Sequence, residues 1–201
     1  QTEITALSQS YDSSIQVSDL QKGLVGWWKM DGNAKDATPN SNHGTVTGAT
    51  LTTDRKGQNN KAYTFDGVND DIQTAVDWSA IGTGDISVSM WVNPVANGGS
   101  FSQGLMRADL SSQTNGTLAI GFDWSTSNTI YFYSRTSAGS IKPSGTTALT
   151  PGTWYHLVGI RASGATTTYV NGIASTSGTG ADMSFNKAAG TFYVGEDSSG
   201  S

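Results

Sequence analysis

The chain has 201 residues, enough to bury one sizeable core, and it leans toward β structure with 25 Gly, only 4 Pro, 6 Trp, 7 Tyr and 6 Phe. Its net charge of −5 and its 11 scattered basic residues leave no stripe to track a phosphate backbone, so nucleic acid is not expected as a partner. Cysteine is absent, which removes disulfides, thiolate metal sites and cysteine nucleophiles, and no apolar run approaches the roughly 20 residues that cross a bilayer, so no membrane contact is expected from the residues present.

The chain opens on Gln1 rather than Met, which reads as a processed start compatible with secretion. Ile4, Leu7, Tyr11 and Ile15 recur at helical spacing, and no Gly or Pro interrupts before Gly23, so a short α-helix is expected over residues 1–22. From Leu24 the period becomes two. Val25 to Met30 reads as a strand closed by the turn-prone Asp31-Gly32-Asn33. Tyr63 and Phe65 alternate with Ala62 and Thr64, and Ile72, Thr74 and Val76 follow. Ile86, Val88, Met90 and Val92 alternate with Ser87, Ser89 and Trp91 until Pro94 ends the strand. Further runs are Leu118 to Trp124, Ile130 to Arg135, Trp154 to Ile160, and Phe192-Tyr193-Val194. Tyr169-Val170 leads into Asn171-Gly172, the strongest short hairpin signal, because both turn residues tolerate positive φ. Many short strands with Gly- and Asn-rich turns predict an all-β fold: an antiparallel two-sheet sandwich with a short N-terminal α-helix, the body forming one domain over 23–201.

Five segments in order then carry a family resemblance. They are Leu24-Val25-Gly26-Trp27-Trp28-Lys29-Met30-Asp31-Gly32-Asn33-Ala34-Lys35-Asp36 with the Asn-rich stretch from Asn40 to Val46, Tyr63 to Ile72, Ile86 to Val92, Gly152 to Val158, and Tyr169-Val170-Asn171-Gly172. Together they resemble the LamG-like jelly-roll family of the concanavalin A-like lectin/glucanase superfamily. The resemblance implies a jelly roll with a final strand after Tyr193-Val194-Gly195, lying beside the first. The chain instead stops at Ser201 in a Gly/Ser tail, so an open edge able to dock another chain is expected there. A helix followed by a jelly-roll head also resembles pilin-like proteins of some bacteria.

Glucanases of the superfamily carry Glu-x-Asp-x-Glu on one strand, where period two points the carboxylates into one cleft. The glutamates here are Glu3 and Glu196, at opposite ends of the chain, and no other hydrolase or phosphate-loop motif occurs, so no catalytic centre is expected. Calcium is the candidate cofactor, with Asp31, Asn33, Asp36 and Asn42 as ligands, because close-spaced oxygens suit a hard cation and LamG-like domains often hold calcium near this sheet edge. The competing reading is that Asp and Asn stand there because they make turns. The same choice arises at Asp66, Asn69, Asp70 and Asp71.

Aromatic rings stack on the apolar face of a sugar, which draws attention to Trp27, Trp78, Trp91, Trp124, Tyr131 and Tyr133, although core packing claims most aromatics in a sandwich. Trp28, Trp91 and Trp154 read as packing residues, and His156 as a hydrogen-bonded core histidine. Tyr131, Tyr133 and Arg135 share the strand face opposite the apolar one and are expected to form an exposed ligand-binding surface on the concave sheet. The expected function is a non-catalytic extracellular recognition or adhesion module on a bacterial surface, the head of a type IV pilin-like subunit that self-assembles into a filament. Its partner would be a glycan or protein on a cell surface. The alternative is a carbohydrate-binding domain of a larger secreted or surface protein.

Overall fold

A computed structural model describes residues 22–77, 85–95, 102–110, 117–123, 129–136, 139–141, 145–163, 165–179 and 190–195. The helix expected over 1–22 lies outside these residues apart from Lys22, as do Trp78 and Trp124. The described strands are β1 Gly44–Thr47, β2 Thr50–Thr52, β3 Ala62–Thr64, β4 Asp71–Thr74, β5 Ile86–Val92, β6 Ser102–Leu110, β7 Thr117–Asp123, β8 Thr129–Thr136, β9 Gly139–Ile141, β10 Tyr155–Ala162, β11 Ala165–Val170, β12 Ile173–Thr179 and β13 Gly190–Val194. They form an all-β arrangement of antiparallel sheets: seven strands in the order β1-β4-β13-β6-β7-β8-β9, four in the order β12-β11-β10-β5, and the small pair β2-β3. Strands distant in sequence lie side by side, β13 between β4 and β6, as a jelly roll requires.

The two larger sheets bury one core. The seven-stranded sheet contributes Met106, Leu118, Ile120, Ile130 and Phe132, and the four-stranded sheet contributes Leu157 and Val170, with Ile86, Val88, Met90 and Val92 packed against them. These are the alternate residues of each strand, the pattern a sheet with one buried face demands. The Asn171-Gly172 hairpin forms as expected. Val170 pairs with Ile173 across a two-residue turn with φ of 52° and 81°.

Two expectations need correcting. Val25 to Met30 is not a strand and makes a single bridge, Trp28 to Asp36. Beyond the Ala37 N–H, which donates to the Trp27 carbonyl at 2.9 Å, side chains satisfy its backbone. The Asp36 carboxylate accepts the Trp27 N–H at 2.9 Å, while the Asn40 and Asn42 amides donate to the carbonyls of Leu24 and Val25. On β10 the inward residues are Leu157, Gly159 and Arg161, so His156 faces outward. Apolar residues occur on both faces of that strand, so its own pattern is ambiguous. Pairing with β5, which sets Leu157 opposite Met90 and His156 opposite Trp91, fixes the parity.

Thr166 and Thr168 also point into the core of the four-stranded sheet at 1% and 0% exposure, and neither hydroxyl has a hydrogen-bond partner among the described residues. A buried unpaired hydroxyl costs stability that an isosteric methyl would not. Thr168→Val is therefore expected to stabilise the fold by about 1 kcal/mol. Urea denaturation measures this, and a lower midpoint would mean that the hydroxyl is paired after all.

Candidate functional site

The residues expected to hold calcium make local contacts, within the N-terminal segment and its loop and with Lys61. Asp36, 6% exposed, accepts four hydrogen bonds: from the N–H groups of Trp27 and Thr38 to Oδ1, and from the Thr38 hydroxyl and the Asn42 N–H to Oδ2, at 2.7 to 2.9 Å. A carboxylate has about four acceptor positions, so none remains for a cation. Burial alone would raise the Asp36 carboxyl, but these bonds outweigh it and hold it below its ordinary range. Asn33 Oδ1 accepts the Lys35 N–H at 2.9 Å, an Asx turn, and Asp31 pairs with Lys61 at 3.6 Å. The Asn42 amide nitrogen donates to the Val25 carbonyl at 2.9 Å, which leaves its Oδ1 outside that bond. Among the described residues no group of three or more His, Asp or Glu is placed to hold a metal ion. Asp36 is thus the hub that ties the N-terminal segment to the body.

The second acidic cluster is likewise a turn. Asp66 Oδ1 accepts the Val68 N–H at 2.8 Å, the Asp66 N–H donates to Asp70 Oδ2 at 2.8 Å, and Gly67 takes a φ of 77°. Burial, with the neighbouring Asp70 charge, pushes the Asp71 carboxyl up.

The tryptophans divide by environment. Trp28 stacks on Phe192 at 5.9 Å, and its indole N–H donates to the Asn42 carbonyl, a packing role as expected. Trp91, expected to pack, is 47% exposed on the outer face of the four-stranded sheet. Its ring is nevertheless taken, with the His156 imidazole stacked at 5.1 Å and the Arg55 guanidinium 4.2 Å from the ring centroid. His156 is held by the Ser89 hydroxyl at 2.8 Å, so this group pins the β2–β3 loop to the sheet and offers no bare ring. Trp27 is exposed, with the Lys29 ammonium 4.9 Å from its ring centroid.

The outer face of the seven-stranded sheet is different. Strand register places Gln73, Tyr193, Arg107, Ala119 and Tyr133 in one row across β4, β13, β6, β7 and β8. Their sequence neighbours Ile72, Phe192, Met106, Leu118 and Phe132 are buried in the core, which turns the row outward. Gln73 is exposed, Tyr193, Arg107 and Tyr133 are half-buried, and Ala119 is buried between its neighbours. Beside this row Gly104 pairs with Gly121, and Gly121 with Tyr131. The middle of the face is therefore a strip of small residues bordered by tyrosines. With adjacent strands about 4.8 Å apart, Tyr193 and Tyr133 stand roughly 14 Å apart across the sheet.

Of the three residues expected to form the ligand surface, Tyr133 sits in this row. Tyr131 lies on the same face but is only 7% exposed, because its cross-strand neighbour Gly121 leaves the ring room to settle against the sheet. Arg135 falls two positions farther along β8, opposite Thr117. Sequence reasoning missed Gln73, Arg107 and Tyr193. Only strand order reveals them, since it joins residues 73, 107, 119, 133 and 193.

The chain superposes on domain 4 of the extracellular arabinanase AbnA of Geobacillus stearothermophilus, solved in complex with arabinotriose, with a TM-score of 0.64 and 21% identity over 85% of this chain and 82% of that one. It also superposes on the binding domain of botulinum neurotoxin serotype D, with a TM-score of 0.65 and 13% identity over 89% of this chain and 44% of that one. A third likeness is to a mutant Trypanosoma rangeli sialidase displaying trans-sialidase activity, with a TM-score of 0.60 and 17% identity over 90% of this chain and 28% of that one. At these identities the likeness is one of fold. Among curated proteins no sequence matched significantly. Among the described residues no helix is long and apolar enough to cross a membrane. The laminin G model of the concanavalin A-like lectin/glucanases superfamily matches residues 66–201, more than half of the chain, and the protein belongs to that family.

Proposed function

We propose that the protein is a non-catalytic carbohydrate-binding module of an extracellular protein, holding a short oligosaccharide on the outer face of the seven-stranded sheet. The row Gln73–Tyr193–Arg107–Ala119–Tyr133 carries this reading. Half-buried tyrosines offer ring faces at low entropic cost. Arg107 and Gln73 supply donors for ring and hydroxyl oxygens, and the small residues between them let a sugar chain approach the sheet. The arabinotriose bound to the arabinanase domain supports a glycan over a protein as ligand. The reading is non-catalytic because the strand triplet of carboxylates that glucanases use is absent from the sequence. The pilin-head reading gains no support from the relatives described above, so the carbohydrate-binding alternative replaces it.

A glycan array probed with the wild-type chain and with Tyr133→Ala and Tyr193→Ala tests this. The wild type is expected to bind a limited set of oligosaccharides, and each variant to lose about tenfold in affinity, the loss of one stacking contact. Wild-type binding that survives in both variants would place the site elsewhere.

A further inference from the structure

The two rings of the tyrosine row differ from the tryptophans in being uncommitted. Trp28 is stacked on Phe192, Trp91 carries His156 and Arg55, and Trp27 has Lys29 beside it. Arg107 and Tyr131 are engaged within the protein. Tyr193 and Tyr133 are half-buried, and among the described residues neither has a hydrogen bond or a ring contact. Strand order and register set them three strand steps apart, on β13 and β8, with Arg107 and Ala119 between. At roughly 14 Å the rings stand farther apart than one sugar or two can bridge, so contact with both takes a chain of about three units.

Nor is the row flat. Neighbouring strands of a sheet are rotated by about 20–25°, so over these steps the outward direction turns by roughly 60–75°. Strand β6, in the middle of the row, has a register shift between Gly104 and Met106, next to Arg107, and bulges of this kind strengthen the local twist. Side chains stand roughly perpendicular to their sheet and lean along their own strand, so rings carried on directions this far apart do not make one plane. Ala119, buried between its neighbours, adds little height between them.

Resting on the reading of this face as a glycan site, we propose that its ligand class is a single soluble glycan chain, a trisaccharide or longer, that turns along its length. Two stacking platforms twisted against each other are both met only by a chain whose successive sugar faces turn as well. A flat two-fold ribbon such as a cellulose chain presents its faces in parallel planes and meets one tyrosine. A packed fibre surface is planar over a far larger span and touches the row at one ring. Length adds a second criterion. Once one end of the chain is stacked on Tyr193, the contact at Tyr133 forms within the complex, so the second ring strengthens binding without a second loss of translational freedom.

The test is isothermal titration calorimetry on the whole chain with oligosaccharides from the monosaccharide to the pentasaccharide. Arabino-, malto- and laminari-oligosaccharides are the turning chains, cello-oligosaccharides the flat chain, and a pull-down on microcrystalline cellulose represents the fibre. At least one turning series is expected to bind, with affinity rising about tenfold from disaccharide to trisaccharide, the worth of one more stacking contact. The flat series and the fibre are expected to bind at least about tenfold more weakly than that trisaccharide. Tyr133→Ala and Tyr193→Ala are each expected to bring the trisaccharide down to the level of the disaccharide, and to leave the disaccharide within about twofold, since one platform remains for it. A merely structural role for either tyrosine would instead weaken every length alike. The proposal is overturned if affinity does not depend on length, if cello-oligosaccharides or cellulose bind as tightly as the turning chains, or if the variants weaken all lengths equally. Those results keep the glycan site on the sheet face and remove only its preference for a long, turning chain. If no series binds, or if trisaccharide binding survives in both variants, the sheet-face reading itself fails and the proposal falls with it.

Discussion

Replacing Asp36 with Ala is expected to lower the melting temperature by on the order of 9 °C, a loss of about 3 kcal/mol at the conversion that applies to domains of this size. The substitution strands the N–H groups of Trp27, Thr38 and Asn42 and the Thr38 hydroxyl at a site where the carboxylate is 6% exposed. Unpaired donors in such a place each cost about 1–3 kcal/mol, reduced here by the water that can reach a rim loop. Asp36→Asn keeps one oxygen but turns an amide nitrogen toward a donor, so about two thirds of the loss remains. The effect has a pH signature. The folded-state carboxyl lies below its ordinary value of 3.8, so its contribution is fully present above about pH 5 and fades as pH falls through the folded value. The gap between wild type and Asp36→Ala is therefore constant near neutrality and closes in acid, as paired thermal melts between pH 7 and pH 2 would reveal. A gap that widened in acid would contradict this role.

Gly159→Val is expected to cost about 3 kcal/mol, at the upper end for an overpacked core. A Cβ at Gly159 would stand 2.7 Å from Phe132 Cδ2 and 2.9 Å from Cε2, and Phe132 has no exposure and so no room to retreat. Gly159 is on β10 of the four-stranded sheet and Phe132 on β8 of the seven-stranded one, so the clash falls between the two sheets. The consequence reaches the ligand face. Phe132 lies between Tyr131 and Tyr133, and a ring driven outward tilts both tyrosines. Gly159→Val is therefore expected to weaken glycan binding several-fold even under conditions where it remains folded. Phe132→Leu in the same chain should recover part of the stability, because the two positions share one volume and are coupled. Additive losses in that double variant would show that the clash is relieved elsewhere.

Much of the fold is written in local pattern. The alternation of Ile86, Val88, Met90 and Val92 with Ser87, Ser89 and Trp91 gives β5 its faces, and Asn171-Gly172 gives the hairpin its turn. Other parts are not local. Strand β6 was not legible because Gly104, Arg107 and Asp109 interrupt its apolar residues, of which Met106 and Ala108 lie in the core and Leu105 packs against it. It is nonetheless a central strand, and it carries the one cation of the tyrosine row. Residues 25–30 show a clear period of two, yet three polar side chains from the next loop take the place of a neighbouring strand. Composition could flag Asp36 as a ligand or a turn former. Only the four donors around it decide for structure. At the candidate site, Tyr133 was legible from the parity of β8. Gln73, Arg107 and Tyr193 were not, because nothing in their own segments says which strands will lie next to them.

The most direct test of glycan binding by the sheet face is a ¹H–¹⁵N titration with the strongest oligosaccharide from the array. Amide shifts are expected to concentrate on Gln73, Tyr193, Arg107, Ala119 and Tyr133, tracing one line across four strand boundaries. Shifts confined to β5 and β10 around Trp91 and His156, or to the rim at Leu24 and Val25 with none along the tyrosine row, would contradict it.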